Sequence, residues 1–95
     1  MKVSELLTDK SKWTKNAYAI NDMGESVGAG GDDARAWCLL GALYKCYPDD
    51  KERGIARYKL ASVIELRYGK LPTVWQDEPS TTFEMVRELI LELAV

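Results

Sequence analysis

The stretch Arg35-Ala36-Trp37-Cys38-Leu39-Leu40-Gly41-Ala42-Leu43-Tyr44-Lys45-Cys46-Tyr47 decides how the fold is read. No charge falls between Arg35 and Lys45, and the run is apolar on nearly every side. A helix of that kind is buried, with other elements on several of its faces. The stretch therefore predicts a central helix over about residues 33–46, with Asp32 as its N-cap. Tyr47-Pro48 ends it, because the residue before a proline avoids the helical region.

On the C-terminal side, Asp49 and Glu52 form an Asp-x-x-Glu capping box for a third helix reaching about Tyr68, with Gly69 as its stop. Ile55, Tyr58, Leu60, Ser62, Val63, Ile64 and Leu66 are its expected inward residues. Residues 70–79 contain Pro72 and Pro79 and read as a connector pinned by Trp75. Thr81-Thr82-Phe83-Glu84 reads as a second capping box, opening a last helix with Phe83, Val86, Leu89, Ile90 and Leu93 on one face.

On the N-terminal side, Ser4 is placed to cap a short first helix that turns Val3, Leu6 and Leu7 inward. Residues 17–20 are expected to pair with about 25–27 across a turn at Asn21-Asp22-Met23-Gly24. Gly28-Ala29-Gly30-Gly31 reads as a flexible loop. The expected fold class is mainly α (α+β): about four helices around a buried central helix (about 33–46), which packs on the third and the last, with a small β-hairpin near 17–27. Residues 1–95 are one domain by length.

Composition restricts the chemistry. Apolar residues are 46% of the chain, charged residues 29%, and the net charge of −2 lacks the basic excess of a dedicated nucleic-acid binder. There is no histidine, which removes histidine general-base catalysis and most zinc and iron sites. Cys38 and Cys46, eight positions apart on one helix, would stand about 12 Å apart, beyond the ~7 Å limit for a disulfide. Free thiols fit a reducing compartment. The N-terminal residues show no signal-peptide pattern, and no apolar run approaches the ~20 residues of a membrane span. A cytoplasmic protein is the resulting expectation.

Three stretches together resemble a known group. They are Trp13-Thr14-Lys15-Asn16-Ala17-Tyr18-Ala19, Trp37-Cys38-Leu39-Leu40-Gly41-Ala42-Leu43 and Trp75-Gln76-Asp77-Glu78-Pro79. Their order resembles a small family of uncharacterised bacterial and phage proteins with W-T-x-x-A-x-A, W-C-L-x-G-A-L and W-N-D-x-P motifs. Gln76 stands where that family more often has asparagine. The resemblance implies a phage or prophage origin and carries no activity across.

Candidate sites are few. Trp13, Trp37 and Trp75 either line a pocket that stacks a planar ligand or fill a small core. Cys38, read as mid-helix, would be an inert buried thiol without a histidine to activate it. The glycine loop lacks a following Gly-Lys-Ser/Thr, and Asp32-Asp33 would repel an anion there. The acidic pairs 32–33, 49–50 and 77–78 stand before expected helices as caps, and no metal-ligand spacing occurs.

Charge is uneven. Residues 51–70 hold six basic and two acidic side chains, and residues 71–95 hold one basic and five acidic. Complementary faces of neighbouring helices account for this, as does a bipolar docking surface. Lys15, Tyr18, Arg35, Arg53, Arg57 and Trp75 are the candidate partner- or ligand-binding residues, with no catalytic residue, no metal and no cofactor. The expected function is a small non-catalytic interaction protein, such as a phage accessory protein engaging a host factor. The alternative is a protein that binds or sequesters a small molecule or nucleotide through aromatic and basic residues. The expected partner is another protein, or else a small anionic ligand or a second copy; membrane and nucleic acid are not expected.

Overall fold

A computed structural model describes residues 1–95. The chain forms five helices and a two-stranded antiparallel sheet. They are α1 (Val3–Leu6), α2 (Leu39–Cys46), α3 (Asp50–Tyr68), α4 (Pro72–Asp77) and α5 (Phe83–Leu93), and the strands are β1 (Ala19–Ile20) and β2 (Ala36–Trp37). The mainly helical α+β class read from the sequence is what the chain adopts. No helix is long and apolar enough to cross a membrane.

The central helix is buried but starts later than the sequence suggested. It runs from Leu39, capped by Cys38, and Leu39, Leu40, Gly41, Ala42, Leu43 and Cys46 are all buried. Ala36-Trp37 is extended, because it pairs with β1 in the register Ala19↔Trp37 and Ile20↔Ala36. Asp32 therefore caps nothing. The sheet and helix meet so closely that only glycine fits at position 41: an added Cβ would lie 1.8 Å from the Tyr18 carbonyl oxygen. Cys38 and Cys46 are free and buried.

The expected turn is present. The Asn21 side chain accepts from the backbone N–H groups of Met23 and Glu25, both at 2.9 Å, and Gly24 takes a left-handed φ of 78°. Ile20 bridges to Ser26 behind the turn, while the longer pairing goes to β2.

The helix α2 packs against α1, α3 and α4. The last helix packs chiefly on α1 and α3. Its apolar face is as read, with Phe83, Val86, Leu89 and Ile90 buried. Its cap is Thr82 rather than Thr81, because the Thr81 hydroxyl turns inward and donates to the Trp75 carbonyl at 2.6 Å. Ser4 does not cap α1; Lys2 precedes the helix, and Glu5 reaches back to its N–H at 2.8 Å.

The third helix behaves differently from its sequence reading. Only Ala56, Leu60 and Ile64 are buried, at a spacing of four. Ile55, Tyr58 and Leu66 are exposed, since the buried line through Leu60 places them on the far side. The connector after Gly69 holds the helix α4, which starts with Pro72 at its first turn, where no N–H is needed.

Candidate functional site

An open cleft of about 530 Å³ lies between α2, α3, α4 and the segment before β1. Its aliphatic floor comes from Leu39, Leu40, Leu43 and Leu60. Polar side chains also line it: Asn16, Ser26, Thr73, Gln76, Asp77 and Arg57, with Tyr18. The volume lies within the ~300–1,000 Å³ of small-molecule sites, and such sites combine an apolar lining with a few oriented polar groups.

One wall is fixed by a buried amide. Gln76 is 1% exposed. Its Oε1 accepts from Trp13 Nε1 and from the Leu39 backbone N–H at 3.0 Å. Its Nε2 donates to the Asp77 carboxylate at 2.6 Å and to the Thr14 carbonyl at 3.3 Å. All four hydrogen-bonding positions of the amide are thus used. One side chain ties the Trp13 segment, the start of α2 and α4 together. Asp77 Oδ1 also accepts from the Asn16 N–H at 3.0 Å. That bond holds Asn16 at a left-handed φ of 64°, a conformation asparagine tolerates better than most residues.

Cys38 opens onto the cleft as the cap of α2, with its Sγ accepting from the Gly41 N–H at 3.3 Å. Burial pushes its thiol pKa up, against the smaller opposing pull of that N–H. Burial also pushes Cys46 up, to about 11. Both thiols are protonated at neutral pH and weak as nucleophiles. No three His, Cys, Asp or Glu side chains stand close enough to hold a metal ion.

The six sequence candidates scatter over the molecule. Tyr18 and Arg57 line the cleft. Arg57 forms no salt bridge, unlike Arg35, Arg53, Arg67 and Lys70. Tyr18 meets Tyr44 edge-on with ring centroids 6.1 Å apart. Arg53 lies 4.5 Å above the Tyr44 ring and donates to the Tyr47 carbonyl at 3.0 Å, so it braces the turn into α3. Lys15 donates to the Thr81 carbonyl at 2.8 Å and to the Glu78 carbonyl, tying down the loop after α4. Arg35 donates to the Asp32 carbonyl at 2.7 Å and closes the loop before β2.

Trp75 is 2% exposed and stacks on Tyr68 at 4.9 Å. Neither it, Trp13 nor Trp37 lines the cleft. Trp37 donates to the Ala29 carbonyl at 2.9 Å, and Trp13 packs against Phe83 at 6.1 Å. Trp37 and Trp75 belong to the core, and Trp13 packs against it. The sequence reading did not pick out Asn16, Thr73, Gln76 and Asp77 as lining residues. The Trp75-Gln76-Asp77 motif was the available signal, since a conspicuous amide and carboxylate beside a core tryptophan suggest a buried polar contact.

The structure thus defines a small mainly helical domain with a part-apolar cleft at the junction of its central elements. The chain belongs to a family of unknown function, DUF6197, whose model matches residues 1–95. No curated protein and no solved structure matches it significantly.

Proposed function

We propose that this protein is a non-catalytic binding protein that holds a small molecule in the cleft between α2, α3 and α4. The observation that carries the reading is the cleft itself: an aliphatic floor together with polar side chains, one of them the unpaired Arg57. The chain has no histidine, and the cleft's one thiol is a helix cap with a raised pKa. Binding without turnover, in the cytoplasm, fits that chemistry. A thermal-shift screen over small aromatic and aliphatic acids, alcohols and nucleotides tests it. A ligand at a hundred times its dissociation constant adds about 2.7 kcal/mol of stability. Leu43→Phe, which fills the floor, is expected to abolish the shift, and a panel with no shift at all argues against the cleft as a ligand site.

A second reading draws on the exposed Ile55, Tyr58 and Leu66 of α3, with Lys51 and Lys59 on the same helix. An apolar stripe with basic neighbours suits an acidic amphipathic helix of a protein partner, as a phage accessory protein docking on a host factor would require. A triple replacement of these residues by serine is expected to abolish such docking and leave ligand binding in the cleft unchanged.

A further inference from the structure

We infer that the cleft selects an apolar monocarboxylate: a compact aromatic or branched hydrocarbon body carrying one carboxylate, which Arg57 receives. The inference rests on the cleft reading above and specifies its ligand. The floor of Leu39, Leu40, Leu43 and Leu60 offers no hydrogen bond to a polar body, so the body is apolar.

Charge sets the headgroup. Arg57 is the one basic residue lining the cleft. Three other basic side chains are engaged in internal contacts: Lys15 on two carbonyls, Arg53 on the turn before α3, and Lys70 on Glu78. A free guanidinium matches a carboxylate bidentately.

A phosphate fits poorly, for two independent reasons. Asp77 lines the same cleft, so a dianion there meets one cation and one anion and keeps an unbalanced charge. The start of α2, the obvious source of extra N–H donors for a phosphate, is already partly occupied by internal contacts. The Leu39 N–H goes to Gln76 at 3.0 Å and the Gly41 N–H to Cys38 Sγ at 3.3 Å. The helix α4 adds none from Pro72, which has no N–H. A monoanion needs only Arg57 and, with Asp77 beside it, leaves one net negative charge in the cleft, where a dianion leaves two.

The test compares three probes with one body: 2-naphthoate, 2-naphthyl phosphate and 2-naphthalenemethanol. Calorimetry on the full chain gives affinities, and methyl NMR shifts of Leu39, Leu43 and Leu60 locate binding. 2-Naphthoate is expected to bind at least about tenfold tighter than the other two, a difference of about 1.4 kcal/mol. Arg57→Met is expected to bring naphthoate down to the affinity of the alcohol, and Arg57→Lys to recover part of the loss. Tighter binding of the phosphate, or equal binding of the alcohol, overturns the carboxylate assignment and leaves the cleft reading standing. Unchanged naphthoate affinity in Arg57→Met overturns the role of Arg57. If none of the three moves the leucine methyls, the cleft reading falls with the inference.

Discussion

The two walls of the cleft are built on opposite plans. On the α4 side, Gln76 uses every hydrogen-bonding position it has, and Asp77 receives both Gln76 and Asn16. On the α3 side, Arg57 forms no salt bridge, and Tyr18, in the segment before β1, is more than half exposed. The difference separates positioning from recognition. A saturated buried network fixes where elements stand and has nothing left to offer a ligand. A free cation at an open rim contributes little to the fold and keeps its donors available. The two walls should therefore respond to mutation in opposite ways.

Gly41→Ala strikes the junction on which both walls stand and should have the largest effect. The new Cβ would meet backbone, not a movable side chain, so β1 and α2 must separate. A loss of about 4 kcal/mol or more is expected, which is a large part of a small domain's stability. Urea unfolding measures it; a loss below about 1 kcal/mol would mean that the close approach is not a real constraint.

Gln76→Leu comes next and attacks the saturated wall alone. It leaves the Trp13 indole N–H and the Leu39 N–H without acceptors. About 3 kcal/mol is expected, the cost of orphaning more than one buried polar group. Amide exchange at Leu39 should accelerate in step, and an unchanged exchange rate would separate the amide from the helix start.

A pH series probes the floor side of α2. Cys46 titrates at about 11 in the folded chain because burial disfavours its thiolate. The unfolded chain gives up that proton at lower pH, near the ordinary value of 9.0. Stability from this group is therefore full below pH 9 and declines as the pH rises toward about 11. Cys46→Ala should lower stability at neutral pH and flatten that alkaline decline.

Arg57→Met should have the smallest effect on the fold, within about 0.5 kcal/mol, as expected for a surface side chain without a partner. A loss as large as that of Gln76→Leu would erase the contrast between the walls.

The sequence disclosed those parts whose physics is local. The Asp49 cap and Gly69 bound α3 in the structure as they do in the sequence, because caps and left-handed stops act within a few residues. The apolar face of α5 was legible from spacing alone. The error at residues 33–38 has a non-local cause. Nothing near Ala36-Trp37 forbids a helix, and only pairing with Ala19-Ile20 draws it into a strand. The helix α4 was hidden by Pro72 and by Pro79 beyond its end, although Pro72 sits at the position that favours a start.

The site was less legible than the fold. Arg57 and Tyr18 came out of charge and aromatic patterning, but the apolar floor looked like any other core. On α3, Leu60 and Ile64 are inward as expected, but Ile55, Tyr58 and Leu66 were added to them because they are larger than the Ala56 that the helix buries. Bulk is a weak guide where a helix packs closely enough to need a small residue.

The last helix also acts on the first. Arg87 reaches across to the backbone carbonyls of Ser4 and Leu7, the latter at 3.3 Å, and α1 lies against α5. During synthesis this contact has no counterpart until α5 has left the ribosome. Val3 and Leu7, fully buried once the fold is complete, have only part of their cover until then. The nascent chain would carry an unfinished surface on α1, and a chaperone that reads short apolar segments would find it there until α5 closes over it.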